Sequence, residues 1–338
     1  MTQTKTLTYP FLAGLIDGDG HIRSYALTGE IEITMHLEDL ALLEQLKNQF
    51  EGAIRPVPNK KAARFVLNAK NAKNGKQTLV DLTQGLNGHI RNSVRVEQFK
   101  KLCQALNISF KVAEKISNKD GYIAGLFCSD GTIFMNARTS AAAKKLKMAI
   151  LLEKQQNTES ANLQSNNHSQ VSQSSAFAAA LRITQGLPIG KVSNLDSETK
   201  LTEKSIQRIL NGVAPVIEVR IANQFLINVE NIPSSLGFGV CYFSKKTGRN
   251  PRGHFAFHIK SEKDILEFNQ YMQKYKNASV KYRRLDLIES FYKLRREGAH
   301  LANALPLKKQ KWENLIRQWY DPNFACKQKQ GSKDSLHL

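Results

Sequence analysis

The sequence predicts an α+β fold built from two similar repeats, and a duplicated motif is the main reason. "LAGLIDGDG" occupies residues 12–20 and "IAGLFCSDG" occupies residues 123–131, so each copy is an apolar, glycine-containing stretch that ends in Asp-Gly. After each copy, segments that alternate apolar and polar residues are interleaved with segments of helical periodicity. An element order that restarts after a repeated motif indicates an internal duplication.

The first repeat, assigned to residues 1–115, has the predicted order α, β, β, α, β, β, α, α. Alternation predicts strands at "HIRSYAL", "EIEITMHL", "GAIRPVPN" and "ARFVLNA". After the motif, helical spacing predicts helices at "EDLALLEQLKNQF", "KQTLVDLTQGLNG" and "SVRVEQFKKLCQALN".

The second repeat, assigned to residues 116–338, is interrupted by an insertion at about residues 137–214. The strand "TIFMNA" precedes the insertion, and its partner "VIEVRIA" follows it. The middle of the insertion is polar and of low complexity, which favours a surface loop, although an extra arm that contacts nucleic acid stays open. The remaining predictions are strands at "GVCYFSKK" and "GHFAFHIKS" and helices at "NQFLINVENIPSSL", "EKDILEFNQYMQKY", "RRLDLIESFYKLRREG" and "KKQKWENLIRQWY".

The charge balance favours a polyanionic partner. Lys and Arg outnumber Asp and Glu by 49 to 29, which gives a formal net charge of +20. Nucleic acid is the usual partner of such a chain, and an anionic membrane surface is the alternative. No apolar run approaches the roughly 20 residues that span a bilayer. The four cysteines are far apart and the eight histidines lack zinc-site spacing, so we expect reduced thiols and no zinc.

The glycines of the motif predict a close contact between two helices. Gly14 and Gly18 are four residues apart, and Gly125 and Ser129 repeat this spacing, so each pair lies on one helix face. Small residues at this interval let helix backbones approach closely. We therefore expect the motif helices to pack against each other around a local twofold axis. The glycines that follow, at positions 20 and 131, are expected to form left-handed C-terminal caps.

This packing would place Asp19 and Asp130 at adjacent helix C-termini. A carboxylate there faces the negative end of the helix dipole, and two close carboxylates also repel each other. A bridging divalent cation offsets both effects, and oxygen ligands of this kind suit Mg²⁺. A metal ion beside a basic surface suggests phosphodiester hydrolysis. The alternative interpretation is two acids at solvated helix ends.

Both motifs resemble those of the LAGLIDADG homing endonucleases of the single-chain, two-motif kind, and the resemblance covers the chain except for the insertion. It implies that the last acid of each motif binds the catalytic metal, which maps to Asp19 and Asp130. It also implies an αββαββα fold in each repeat, with motif helices at the interface and two antiparallel sheets that form a DNA-binding saddle. Members of the family cut both strands across the minor groove and leave short 3′ overhangs. Cys128 departs from the motif where the first copy has Asp17, an acid that is usually structural in the family.

The resemblance also indicates which residues would contact DNA. Basic residues near the active site hold the scissile phosphates in this family, and Arg91 and Lys281 are the best matches. Alternation along strands points every second side chain at base edges in the major groove. The candidates for this role are Arg23, Tyr25, Glu32, Thr34, His36, Arg55, Arg64, Asn68, Asn136, Glu218, Arg220, Tyr242, Ser244, Lys246, His254 and His258.

The resulting hypothesis is a monomeric, Mg²⁺-dependent, site-specific homing endonuclease that binds double-stranded DNA and no membrane. The first rival is a group I intron maturase that binds its own intron RNA, and the second is a DNA-binding protein that does not cleave. The N-terminal "MTQTKTLTYP" lacks the features of a signal peptide or presequence. The family resemblance favours an organelle, chloroplast or mitochondrion, that encodes and makes the protein.

Overall fold

The computed structural model describes residues 6–136, 206–207, 209–210, 215–245 and 252–321. The predicted surface loop in the insertion, the DNA-contact candidate Lys246 and Cys326 lie outside the described residues.

The first repeat has the predicted order of elements. The motif forms helix α1, Tyr9–Asp19, and two helices, α3 and α4, close the repeat. The other bounds are β1 Gly20–Tyr25, β2 Thr28–His36, a 3₁₀ turn Leu37–Asp39, α2 Leu40–Phe50, β3 Ala53–Pro56, β4 Ala62–Asn68, α3 Lys76–Leu86 and α4 Ser93–Ala105.

The second repeat begins with its own motif helix, α5, Tyr122–Asp130, and repeats the pattern of strands. Its other described elements are β5 Gly131–Asn136, β6 Val216–Asn223, a 3₁₀ turn Leu226–Asn228, α6 Ile232–Leu236, β7 Val240–Ser244, β8 His254–Ile259, α7 Glu262–Lys274, α8 Tyr282–Leu285, α9 Ile288–Arg296 and α10 Pro306–Tyr320. No helix in the described ranges is long and apolar enough to cross a membrane.

Each repeat contributes one four-stranded antiparallel sheet, and the two sheets have equivalent strand orders. The orders are β1-β2-β4-β3 and β5-β6-β8-β7. In the first sheet, one face carries buried residues such as Ile31, Ile33 and Phe65, and in the second the corresponding face carries Val219 and Ile221. Because side chains alternate along a strand, the opposite face of each sheet is left for polar residues. The predicted α+β fold with two pseudo-symmetric repeats is therefore confirmed.

The two motif helices pack directly against each other at the centre of the molecule. A Cβ added at Gly14 would overlap the carbonyl oxygen of Tyr122 and lie 2.7 Å from Leu126 N. A Cβ added at Gly125 would overlap the carbonyl oxygen of Phe11. Only glycine permits such an approach of two backbones, so the predicted contact between the motif helices is confirmed.

Two local predictions are wrong. Gly20 and Gly131 adopt extended conformations, with φ of −85° and −76°, and not left-handed caps. Gly20 is needed for space instead, since an added Cβ would lie 2.5 Å from the carbonyl oxygen of Ile16. The predicted helix over residues 223–236 is a 3₁₀ turn followed by the short α6, because Pro233 lacks the N–H of a helix interior and stands at the start of a helix.

Candidate active site

The contact between α1 and α5 brings the last acids of the two motifs together. Gly18 faces Ser129 across the helix interface, and a Cβ added at Gly18 would lie 3.3 Å from the carboxyl carbon of Asp130. The charge of Asp130 also acts on Asp19, whose pKa it helps to raise. Two carboxylates from different repeats therefore share one site at the C-terminal ends of the motif helices.

Burial disfavours the charged form of both carboxylates, and the charge of Asp130 adds to this effect at Asp19. Burial, followed by the charge of Asp130, raises the pKa of Asp19 from 3.8 to about 6. Burial also raises the pKa of Asp130. Two nearby basic side chains, Lys281 and Arg95, counteract this rise at both acids without cancelling it. A desolvated pair of like charges fits the binding of a divalent cation, which would compensate both effects.

These shifts predict how pH affects the metal-free protein. Between about pH 4 and pH 6, Asp19 of the folded protein retains a proton that the unfolded chain has released, so it lowers the free energy of unfolding as pH rises. The raised pKa of Asp130 acts in the same direction. In EDTA, the melting temperature of an Asp19→Asn, Asp130→Asn double variant should therefore rise relative to wild type across this range. Thermal melts of both proteins at several pH values test this. A difference in melting temperature that does not vary with pH would contradict it.

Asp17, the other acid of the first motif, is a structural residue. It is buried, and its Oδ2 accepts hydrogen bonds from Arg91 N at 2.7 Å, Asn92 N at 3.0 Å and Tyr122 Oη at 2.7 Å. These bonds tie α1 to the start of α4 and to the opposite motif helix. Cys128 occupies the equivalent position in α5, where its buried thiol contacts the side chain of Asn277 at 3.6–3.8 Å. The two sides of the site are thus chemically different.

Lys281 lies beside the two carboxylates, and its catalytic role stays a prediction. Its Nζ donates to the carbonyl oxygens of Phe127 at 2.8 Å and Ser129 at 2.7 Å, in the last turn before Asp130. Burial lowers the pKa of Lys281, and the negative charges of Asp39, Asp19 and Asp130 oppose that fall. The ammonium group is therefore held beside the carboxylate pair.

Arg91 is placed differently from the prediction. Its guanidinium donates to the carbonyl oxygens of Glu114 at 3.1 Å and His89 at 2.8 Å, and it stacks over the ring of Tyr122. The charge of Arg91 acts on the pKa of Asp17, whereas that of Arg95 acts on the pKa of both Asp19 and Asp130. Arg95, one helical turn further along the chain, is thus the basic residue that the first repeat contributes. The sequence analysis missed it because Arg91 and Arg95 are both basic residues near the start of the same helix.

The strand register settles which side chains share the exposed face of each sheet. In the first sheet, the pairs Arg23↔Glu30 and Thr34↔Arg64 lie opposite the core face, as do the other candidates on these strands. In the second sheet, the pairs Arg220↔His258 and Ser244↔His254 occupy the equivalent face. Every described DNA-contact candidate lies on these faces, which bear Arg23, Tyr25, Glu32, Thr34, His36, Arg55, Arg64, Asn68, Asn136, Glu218, Arg220, Tyr242, Ser244, His254 and His258. Their contact with DNA stays a prediction.

Acids on these faces hold the basic residues in place. In the first sheet, the buried Glu32 accepts hydrogen bonds from Arg23 at 3.0 Å and Arg64 at 3.2 Å. In the second, Glu218 accepts from Arg220 at 2.9 Å and lies 3.1 Å from His258 Nε2. Both networks fix the arginines in one orientation, so the faces are ordered polar surfaces.

His21 is another residue of the exposed face that the sequence analysis missed. It lies two residues after Asp19, and its Nδ1 is 3.3 Å from the side-chain nitrogen of Gln98. Gln98 Oε1 in turn accepts from Ile22 N at 3.2 Å and from Arg95 at 3.3 Å. His21 and Arg23 alternate along β1, so the same periodicity that selected Arg23 could have found His21.

Two known proteins resemble this chain in sequence. A "probable intron-encoded endonuclease aI2" of Debaryomyces hansenii is 24% identical over 314 residues, which cover 91% of this chain and 37% of that protein. The "intron-encoded RNA maturase bI4" of Saccharomyces cerevisiae is 39% identical over 127 residues, which cover 36% of this chain and 18% of that protein. The chain thus spans less than two-fifths of the length of either relative. No protein-family model matches.

A solved structure shares the fold over nearly the whole chain. The LAGLIDADG homing endonuclease I-SmaMI, in complex with cleaved DNA, has a TM-score of 0.51 at 15% identity, with 93% of this chain and 97% of that chain covered. This chain also carries both motifs, at the helix interface. The chain therefore has the fold of this homing endonuclease. In this chain, the motif acids lie close to Lys281 and Arg95 at the junction of the two repeats.

Proposed function

We propose that this chain is a LAGLIDADG protein and a site-specific homing endonuclease that makes double-strand breaks in a long, asymmetric DNA target. The observation that carries the proposal is the pair of carboxylates, Asp19 and Asp130, at the junction of two polar sheet faces in a chain of net charge +20. The sheets differ in sequence, so each would read its own half-site. Because one chain supplies both motifs, the protein would act as a monomer, with the repeat boundary near residue 115.

The carboxylate pair would hold a divalent cation, and Mg²⁺ is the proposed ion. Within the described residues, no group of three or more His, Cys, Asp and Glu side chains is arranged to hold a metal ion. Protein ligation would then rest on Asp19 and Asp130, which leaves room for water and phosphate oxygens, as Mg²⁺ prefers. A bound Mg²⁺ would supply Lewis acidity and lower the pKa of a water molecule.

The protein's own residues would orient the DNA and balance its charge. The exposed faces of β1–β4 and β5–β8 would lie in the major grooves on either side of the site, where their side chains can reach base edges. Lys281 and Arg95 stand beside the carboxylates, where each would stabilise the negative charge that develops on a scissile phosphate. Arg91 would act indirectly, since its backbone N–H and its stacking on Tyr122 maintain the bonds of Asp17.

A cleavage assay tests the proposal. The target can be isolated by incubating the full chain with a random duplex library and sequencing the ends that form only when Mg²⁺ is present. The chain should cut the selected plasmid in Mg²⁺ and leave it intact in EDTA. Failure to cut any duplex, with the protein folded, would contradict the proposal.

Two relatives support different activities, so a maturase remains the second candidate. The 127 residues that are 39% identical to the yeast RNA maturase favour RNA binding, and the intron RNA would be the ligand. Both acids that we propose as metal ligands, Asp19 and Asp130, are present, which favours cleavage over a DNA-binding protein without activity. Splicing of the host intron in vitro, with and without the protein, separates a maturase from a nuclease.

The intron-encoded relatives also support an organellar gene and site of action.

DNA binding should weaken steeply with salt. A saddle that neutralises on the order of ten phosphates releases counterions, with a slope of log K against log[salt] of about −0.9 per phosphate. Between 50 and 200 mM salt, affinity should therefore fall by about 10³–10⁵. Fluorescence anisotropy with the selected duplex in EDTA measures this. A flat affinity across that range would exclude the saddle as the binding surface.

A further inference from the structure

Each sheet has a central strand that is followed by a 3₁₀ turn, and the last residue of each turn contacts the other repeat. Asp39 ends the turn after β2, is 6% exposed, and belongs to the first repeat. Its Oδ1 accepts hydrogen bonds from Ser279 Oγ at 2.8 Å and Val280 N at 2.9 Å, both in the second repeat. The next residue is Lys281. The first repeat thus holds the segment that presents the active-site lysine of the second.

The opposite turn makes the reciprocal contact. Asn228 ends the turn that follows β6, is 8% exposed, and belongs to the second repeat. Its Oδ1 accepts from Ser93 N, the first residue of α4, at 3.1 Å, and its Nδ2 donates to Asn223 Oδ1 at 2.9 Å. Arg95 stands two residues after Ser93. A turn from the other repeat therefore binds the segment that precedes each of the two basic residues, Lys281 and Arg95.

One turn ends in a carboxylate, Asp39, and the other in a neutral amide, Asn228, and this difference corresponds to the basic residue near each turn. Lys281 is desolvated, and the carboxylate of Asp39 acts on it as a stabilising charge. Arginine keeps its proton in any such setting, so the neutral amide of Asn228 suffices for the Arg95 side.

These turns also connect recognition with the active site. Thr34 and His36 lie on the exposed face of β2, and the turn that ends in Asp39 begins at the next residue. A shift of β2 on its half-site would move Asp39 and, through Val280, the position of Lys281. On this side, a few residues of β2 and its turn, followed by the hydrogen bond between Asp39 and Val280 N, connect the proposed base contacts with Lys281.

We propose that Asp39 and Asn228 are positioning residues that couple each repeat's sheet to the active-site basic residue of the opposite repeat. Asp39 would couple the first sheet to Lys281, and Asn228 would couple the second sheet to Arg95. The inference rests on the proposed endonuclease function. Its consequence is that the DNA strand whose cleavage needs Lys281 is cut only when the first repeat's sheet is bound to its half-site. The DNA strand whose cleavage needs Arg95 is cut only when the second repeat's sheet is bound to its own half-site. A mismatch in one half-site would then slow one strand more than the other.

Strand-resolved cleavage of a duplex labelled differently on each strand tests the proposal. Lys281→Met and Arg95→Met first define the strand that depends on each cation. Asp39→Ala should slow the Lys281-dependent strand by on the order of tenfold or more, the usual effect of losing hydrogen bonds to a charged group, and Asn228→Ala should slow the Arg95-dependent strand. Affinity in EDTA should stay at the wild-type value. Asp39→Asn should recover part of the rate, because its amide oxygen still accepts from Val280 N.

Glu38→Ala is the matched control, since Glu38 lies in the same turn with an exposed side chain. It should leave both strands at the wild-type rate. The proposal would be overturned if Asp39→Ala slowed cleavage of both DNA strands equally or slowed the Arg95-dependent strand instead. It would also be overturned if Asp39→Ala slowed cleavage no more than Glu38→Ala does.

Amide hydrogen exchange supplies a readout that needs no substrate. Asp39→Ala should speed exchange at Val280, and Asn228→Ala should speed it at Ser93, whereas Glu38→Ala should change neither. If wild type cut no duplex, the proposed function would fail, and this measurement would still decide whether the turns hold the two segments. Unchanged exchange at both amides would overturn the inference.

Discussion

Asp19→Asn and Asp130→Asn are each expected to abolish double-strand cleavage while the fold and DNA binding persist. Each carboxylate would supply one of the two protein ligands to the cation, and an amide is a much weaker ligand. Metal assistance contributes several kcal/mol to such reactions, so the rate should fall about 100-fold or more. The substitution also removes a repulsive buried charge, so the melting temperature in EDTA should not decrease at neutral pH.

Cleavage of the selected plasmid in Mg²⁺, together with anisotropy in EDTA, measures both halves of this prediction. Asp120→Asn is the matched control, since Asp120 precedes the second motif and its Oδ1 accepts from Tyr122 N at 3.0 Å, a bond that asparagine can keep. This control should cut like wild type. Cleavage by either Asp19→Asn or Asp130→Asn at the wild-type rate would show that the carboxylates do not hold the catalytic metal.

The sequence alone predicts the parts of this fold that rest on local patterns. The repeated motif, with small residues four apart, is sufficient to place the two helices in contact, because only small residues allow that approach. Alternation is sufficient to separate the two faces of each strand, and all described DNA-contact candidates lie on one face.

The parts that depend on contacts between distant segments could not be predicted. Arg91 and Arg95 are both basic, and only the position of α4 against the motif helices shows that Arg95 acts on the carboxylates. Asp39 and Ser279 are 240 residues apart, and no local pattern connects them. The conformation of Gly20 is likewise set by the adjacent helix turn and not by its own preference for left-handed backbone.

The exposed sheet faces carry acids as well as basic residues, which the net charge of the chain does not show. The net charge of +20 suggests a broadly positive surface, yet Glu32 and Glu218 lie on the exposed faces among arginines. Burial works to raise the pKa of Glu218, and the charges of Lys260 and Arg220 outweigh it, so the pKa is lowered and the acid stays ionised. An ionised acid that fixes two cationic side chains favours specific contacts over indiscriminate phosphate binding.

Gly125→Ala is expected to destabilise the whole protein, because the added methyl group meets backbone and not a movable side chain. It would overlap the carbonyl oxygen of Phe11 and lie 2.9 Å from Leu15 N. The two motif helices would have to separate, and buried residues on both would lose contacts. Overpacking typically costs about 1–3 kcal/mol, and a clash between two backbones should fall at or above the upper end. Gly125→Leu should cost still more.

Gly237→Ala is the control for this substitution. Nothing lies within 4 Å of a Cβ added at Gly237, so the only cost there is the left-handed backbone at φ 83°, about 1–2 kcal/mol. Chemical denaturation of wild type, Gly125→Ala and Gly237→Ala compares the steric cost with the conformational cost.

Gly14→Ala should lower the free energy of unfolding about as much as Gly125→Ala. The double variant should lose less than the sum of the two single losses, because helices separated by one methyl group already admit the other. Equal stability of Gly125→Ala and wild type would show that the motif helices do not touch. Since the same separation would move Asp19 away from Asp130, the folded fraction of Gly125→Ala should also have lost cleavage.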